Sequence, residues 1–257
     1  MKSLKEALLN RPKNIDVTRM IENYINNNYE ISGKLTYENV NGIYIVNCDG
    51  NVKVKNKKIE KLTDGFVWGE VKGDFNCGGC KNLTLLEGAP EKVNFAFNCS
   101  WCENLTSLEG APKEVGGDFD CSSCKNLISL QGAPKEVGGF ACAKCEKLQS
   151  LEGAPEKVNR FFTCIRCNNL ETLNGSPNIV KWDFYCSECN NLKSLEGAPK
   201  EVSRNFICIS CEGLESLEGS PKKIGENFDC SWCENLKSLK GAPEKIGGKL
   251  ICDRRLK

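Results

Sequence analysis

Nine cysteines set the beat of this chain: Cys77, Cys99, Cys121, Cys142, Cys164, Cys186, Cys208, Cys230 and Cys252 recur every 22 residues, with one interval of 21 where Asp118 has no counterpart. Each of the first eight is followed three residues later by a second, at Cys80, Cys102, Cys124, Cys145, Cys167, Cys189, Cys211 and Cys233. Prolines from Pro90 to Pro243 keep the same period, so that one unit reads F-x-C-x-x-C-x-x-L-x-x-L-x-G-[AS]-P-x-x-[VI]. No single unit can bury its own apolar edge. A regular period of this length therefore commits the chain to a solenoid, in which stability comes from stacking on neighbours.

Within a unit, Phe119-Asp120-Cys121 alternates inward, outward, inward, the two-residue period of a short strand. Cys124, Leu127 and Leu130 follow at three-residue spacing, which predicts a tight inward arc of turn or 3-10 character. Gly132 and Pro134 turn the chain, and Val137 re-enters the core ahead of Phe140. The inward columns are then Phe75, Phe97, Phe119, Phe140, Phe162, Phe184, Phe206 and Phe228 in one ladder, with the leucines from Leu83 to Leu236 in another. Nine rungs about 4.8 Å apart span roughly 40 Å.

Through Pro134, Val137, Phe140, Cys142, Cys145, Leu148 and Leu151 the unit resembles a leucine-rich repeat of the short bacterial kind, P-x-x-L-x-x-L-x-V-x-x-N-x-L-x-x-L, over about residues 71–256. It is also similar to a repeat type found in bacterial and phage proteins. The resemblance implies an α/β solenoid: a leucine-rich repeat stack with a parallel β-sheet on the concave face, turn or 3-10 arcs on the convex side and an N-terminal helical cap. Cysteine stands where that family carries its ladder asparagine. Because a thiol is a weak donor and acceptor, buried backbone groups are expected to turn to rung-to-rung bonds or trapped water.

Residues 1–40 do not fit the unit and read as a helical capping region, with Ser3 capping one short helix and Asp16 a second through Val17, Met20, Ile21, Tyr24 and Ile25. Residues 41–72 read as degenerate capping repeats, in which Val52 and Val54 stand where Phe and Cys would. Residues 73–257 are the solenoid, eight full units and a partial ninth. In that ninth unit Arg255 replaces the second cysteine, and Asp253, Arg254 and Arg255 make the edge polar.

Composition narrows the chemistry. The chain of 257 residues has no histidine, which removes Ser-His and Cys-His nucleophile pairs and His-containing metal sites. Its 35 Lys plus Arg balance 34 Asp plus Glu, so no strong field draws it to nucleic acid or anionic lipid. The cluster Lys53, Lys55, Lys57 and Lys58 is only locally basic. No apolar run reaches the 18 residues of a membrane span, and the expectation is a cytoplasmic protein with reduced thiols. Paired C-x-x-C motifs raise the alternative of zinc or another soft metal. Here both cysteines occupy inward ladder positions, which favours packing as small hydrophobes, so no metal, cofactor or catalytic residue is assigned.

If the inward columns are structural, function falls to the outward ones. Phe161, Ile165, Tyr185, Ile207 and Ile209 form an apolar patch on rungs five to seven, with Arg166 and Glu188 as its polar rim and Trp101 and Trp232 as separate anchors. The expected function is a non-catalytic protein-binding scaffold that uses the concave face, with an unidentified protein partner and a role as a phage or bacterial modulator of a cellular protein. The alternative is a structural or self-associating repeat protein that pairs through its C-terminal edge. The acids Asp118, Asp120, Asp183, Glu188 and Asp229 are scattered across rungs without a partner motif, which argues against an enzyme.

Overall fold

The computed structural model describes residues 16–256, so the helix expected from Ser3 lies outside the described residues. Each unit forms one coil of a three-sided β-solenoid. The front side of coils 1 to 9 carries two-residue strands at Phe75–Asn76, Phe97–Asn98, Phe119–Asp120, Phe140–Ala141, Phe162–Thr163, Phe184–Tyr185, Phe206–Ile207, Phe228–Asp229 and Leu250–Ile251. They pair in parallel, phenylalanine on phenylalanine. Backbone bonds from one coil to the next hold this side. In coil 1 the Phe75, Cys77 and Gly79 N–H groups donate to the Ala96, Asn98 and Ser100 carbonyls at 2.9, 2.8 and 2.7 Å.

The second side carries the strands that end in the repeat valine or isoleucine, such as Lys92–Val93 and Glu114–Val115. The third side, the L-x-x-L run, is bonded coil to coil without forming regular strands, as where the Leu86 N–H donates to Glu109 and that of Ile128 to Thr106, at 2.9 and 3.1 Å.

This architecture corrects the leucine-rich repeat expectation. No coil contains a helix. Among the described residues there is one α-helix, α1 (Val17–Asn28), and one 3-10 turn, Arg254–Leu256, both outside the repeated sides. A horseshoe with concave and convex faces needs one side of the repeat to be wider than the other. Here all three sides are bonded coil to coil at strand-like spacing, which makes the chain an all-β solenoid and leaves no concave leucine-rich repeat face. The three-residue spacing of Cys124, Leu127 and Leu130 arises from a corner between two extended sides: the Leu127 N–H donates back to the Cys124 carbonyl at 3.0 Å and closes the turn.

The core is a set of continuous columns. Every repeat phenylalanine is fully buried, as are the paired leucines through Leu217 and the last of the first-column leucines, Leu236. Successive phenylalanine rings stack with centroids 5.1 to 5.6 Å apart. Such stacking adds roughly 0.5–1.5 kcal/mol per pair beyond area burial.

The cysteines do more than fill space. In coil after coil the second cysteine's Sγ–H donates to the first cysteine's carbonyl in the preceding coil: Cys102 to Cys77, Cys124 to Cys99, Cys145 to Cys121, Cys167 to Cys142, Cys189 to Cys164, Cys211 to Cys186 and Cys233 to Cys208, at 3.1 to 3.4 Å. That carbonyl sits where the front strand ends and the chain turns, so the thiol supplies a bond the strand ladder does not. All eighteen cysteines are free thiols. At the last coil Arg255 stands in the second cysteine's place, and its guanidinium donates instead to the Leu236 and Cys233 carbonyls, both at 2.7 Å.

The N-terminal edge is built differently. Asp16 caps α1 by accepting from the Thr18 and Arg19 N–H groups, and Val17, Ile21 and Ile25 face the core. The next strands, β1 (Tyr29–Ser32), β2 (Leu35–Val40), β3 (Ile43–Cys48) and β4 (Asn51–Val54), include two antiparallel pairs, β1 with β4 and β2 with β3. The β2–β3 turn is Asn41-Gly42, both at positive φ, as a tight hairpin requires. Strand β4 then pairs in parallel with coil 1, which sets Val52 beside Phe75.

Candidate interaction face

The outward side chains of the front sheet are placed by in-register pairing. Thr163, Tyr185, Ile207 and Asp229 are consecutive neighbours across coils 5 to 8. Ile165 and Ile209 lie two residues further along the same side. Tyr185, Ile207, Ile165 and Ile209 are half-buried, as is Phe161. The ring of Phe161 leans over Gly139 of the preceding coil: a Cβ built on that glycine would lie 2.6 Å from it.

Arg166 and Glu188 form an ion pair, Nε to Oε2 at 2.7 Å. Both stand at the residue before the second cysteine, and so do Trp101 and Trp232. This position has a left-handed backbone in each of the first eight coils: Gly79, Trp101, Ser123, Lys144, Arg166, Glu188, Ser210 and Trp232 all have φ between 57° and 76°. A non-glycine residue there costs on the order of 1 kcal/mol. The cost is offset by the front ladder, which needs that residue's N–H aimed at the next coil, as from Arg166 to the Ser187 carbonyl at 2.9 Å. The turn throws the side chain outward, leaving Trp101 and Trp232 52% and 70% exposed. They lie six coils apart, on coils 2 and 8, with Trp232 on the coil next to Ile207 and Ile209.

The residues just before each front strand form a second functional-looking row that the repeat pattern did not single out. Arg160 pairs with Asp118 two coils away and lies 5.8 Å from the Trp182 ring centroid. Arg204 bonds Glu226 at 3.1 Å and approaches Asp183 at 3.9 Å. Asp183 is buried and accepts from the Asn205 N–H and side-chain amide at 3.0 and 2.7 Å. Burial, with the Asp183 carboxylate adding to it, raises the Tyr185 hydroxyl above its ordinary pKa.

The sequence signal was present as an Asp or Asn before the phenylalanine. Asn51, Asp74, Asp118, Asp183, Asn205 and Asn227 each accept through Oδ1 from a backbone N–H of the next coil. These side chains supply acceptors at the end of the strand opposite the cysteines, where only rung-to-rung backbone bonds or trapped water were expected.

The remaining carboxylates considered as acids are also occupied. Asp120 and Asp229 accept from the Ser122 and Ser231 N–H groups at 2.8 and 3.0 Å, local turns within one coil. Among the described residues no group of three or more His, Cys, Asp or Glu side chains is arranged to hold a metal ion. No helix there is long and apolar enough to cross a membrane. Comparison with protein-family models, curated proteins and solved structures finds no match to this chain.

Proposed function

We propose that this solenoid is a non-catalytic protein-binding scaffold whose docking surface is the front side of coils 5 to 7. The observation that carries the reading is the contiguity of Tyr185 and Ile207 across paired strands, flanked by Ile165, Ile209 and Phe161. Ion pairs stand at the margins, Arg166 with Glu188 on one side and Arg204 with Glu226 on the other. An apolar centre with a charged rim, held on a continuous ladder, loses little conformational entropy on binding. Exposed Trp182, 42% accessible, extends the surface toward the adjoining corner.

The test is affinity capture under reducing conditions with the wild-type chain and with Tyr185→Ala/Ile207→Ala. Loss of a captured protein from the double variant, at unchanged melting temperature, supports the reading. A large drop in melting temperature with no partner lost would make these side chains packing residues and end it.

A further inference from the structure

The two ends of the stack are finished differently. At the N-terminal end α1 turns Val17, Ile21 and Ile25 to the core, and the last front strand, β1, runs antiparallel to its neighbour β4. At the other end coil 9 departs from the unit: Leu250 stands where phenylalanine would, Arg255 where the second cysteine would, and the 3-10 turn Arg254–Leu256 takes the chain off the coil path. That leaves an open edge. Leu239, Ile246, Leu250 and Cys252 are only partly buried, whereas their equivalents one coil back, Leu217, Ile224, Phe228 and Cys230, are each 1% exposed or less.

The strand register sets the backbone of this edge. Phe228 and Cys230 turn their N–H groups toward coil 9 and donate to the Lys249 and Ile251 carbonyls, both at 2.9 Å. Leu250 and Cys252 hold the same positions in the final front strand, so their hydrogen-bonding groups aim away from the stack. An edge of this kind is a template for a further strand. Two such residues on either side of Ile251 also make the strand complementary to itself. About a two-fold axis at Ile251, Leu250 of each copy meets Cys252 of the other as a hydrogen-bonded antiparallel pair, and the two Ile251 residues meet as a non-hydrogen-bonded pair with Cα atoms about 4.5 Å apart.

The side chains agree with this register. It sets Lys249 of each copy opposite Asp253 of the other, on the same outer face as Ile251. Lys249 is exposed, and Asp253 is held in place by the Trp232 N–H at 2.9 Å and the Arg255 guanidinium at 3.3 Å. Opposite charges thus flank an isoleucine pair, each member of which is 38% exposed in the single chain. We propose that two copies of this chain join tail to tail through the coil 9 front strand, so that the front sheet continues across a two-fold axis at Ile251. The outward face of coils 5 to 7 stays free, and the inference stands independently of the function proposed above.

Light scattering of the reduced 257-residue chain over a wide range of concentration should show a monomer–dimer equilibrium that stops at the dimer, with amide exchange at Leu250 and Cys252 slowing as the dimer forms. Ile251→Lys, which sets two like charges at the axis, and Lys249→Glu, which opposes Asp253, should each raise the dissociation constant at least tenfold with the fold intact by circular dichroism. In a Cys252→Ser background, Ile251→Cys should cross-link two copies in oxidised glutathione, because the paired Cα atoms lie within disulfide range. A monomer at every concentration, a filament, a dimer that survives Ile251→Lys, or a dimer that gives no cross-link would each overturn the proposal.

Discussion

The front sheet runs through eleven strands from β1 to Leu250–Ile251, while the second side of the same coils is divided. A five-stranded sheet ends at Glu114–Val115 and a six-stranded one begins at Glu136–Val137. Both sides meet the same missing residue in coil 3. The front side keeps its register because Phe, Cys and the left-handed corner residue must each stay in a column, and a one-residue slip there would turn the core outward. The second side contributes one inward valine per coil. Val137 remains buried, 1% exposed, although its strand pairs only with Lys157–Val158 and not with Glu114–Val115, so the defect is absorbed where least packing depends on register. Asp118 bridges the fault from the corner: it accepts from the Gly139 N–H and pairs with Arg160, reaching across the short coil.

The largest expected effect tests the front columns together. Twelve of the cysteine thiols are raised above their ordinary range, some chiefly by burial and others chiefly by a bond to the thiol of a neighbouring coil. Burial, with Cys102 adding to it and Lys57 opposing it, pushes Cys80 up to about 12. A folded-state pKa above the unfolded one means that stability is whole below the unfolded value, near 8.5, and falls as pH rises toward the folded values. Each fully buried thiol contributes a slope of about 1.4 kcal/mol per pH unit in that window. Thermal melts in reductant should therefore show a steep loss of melting temperature between about pH 8.5 and 10. A melting temperature that stays level through that range would mean the thiols are not held neutral in the core.

Next in size is a contrast between the two sides within one coil. Phe140→Ala should cost about 3–5 kcal/mol, because it empties a stacked column flanked by Phe119 and Phe162. Val137→Ala, at the divided side, should cost about 2 kcal/mol from the lost methyl groups. Denaturant melts of the two variants measure the difference, and equal losses would mean that the second side carries as much of the stack as the front.

The smallest effect probes the bridge. Asp118→Ala leaves the Gly139 N–H without its acceptor and Arg160 without its partner, and should lower stability by about 1–3 kcal/mol. Hydrogen exchange should quicken at Gly138 and Gly139 more than at Phe140. Uniform exchange along coil 3 would show that the bridge does not localise the defect.

Much of the architecture could be read from the residues. The period, the inward columns of Phe75 to Phe228 and Leu83 to Leu236 and the packing role of both cysteines follow from the spacing of apolar residues. The shape of the coil did not. Leucines three residues apart suit a 3-10 arc as well as a corner between extended sides, and only bonds such as Leu86 to Glu109 distinguish them. The serine or threonine before the second leucine was legible but unread. At Ser107, Ser129, Thr172, Ser194, Ser216 and Ser238 it accepts from the N–H two residues on, as Ser129 does from Gln131 at 3.1 Å, ahead of the turn at the following glycine. That glycine is obligatory: Gly132 has φ 97°, and a Cβ there would meet the Leu108 carbonyl at 2.4 Å.

For the candidate surface, alternation put Tyr185 and Ile207 outside and Phe184 and Phe206 inside, a local property of strands. It did not reveal that the Tyr185 cluster is half-buried or that Arg160, Trp182 and Arg204 gather at the adjoining corner. The sequence alone determined that this chain stacks and which side chains form its columns, because hydrophobic periodicity is written residue by residue. Only the tertiary structure decided the three-sided coil, the thiol-to-carbonyl ladder and the division of the second side, because these depend on which backbone groups of neighbouring coils come within bonding distance.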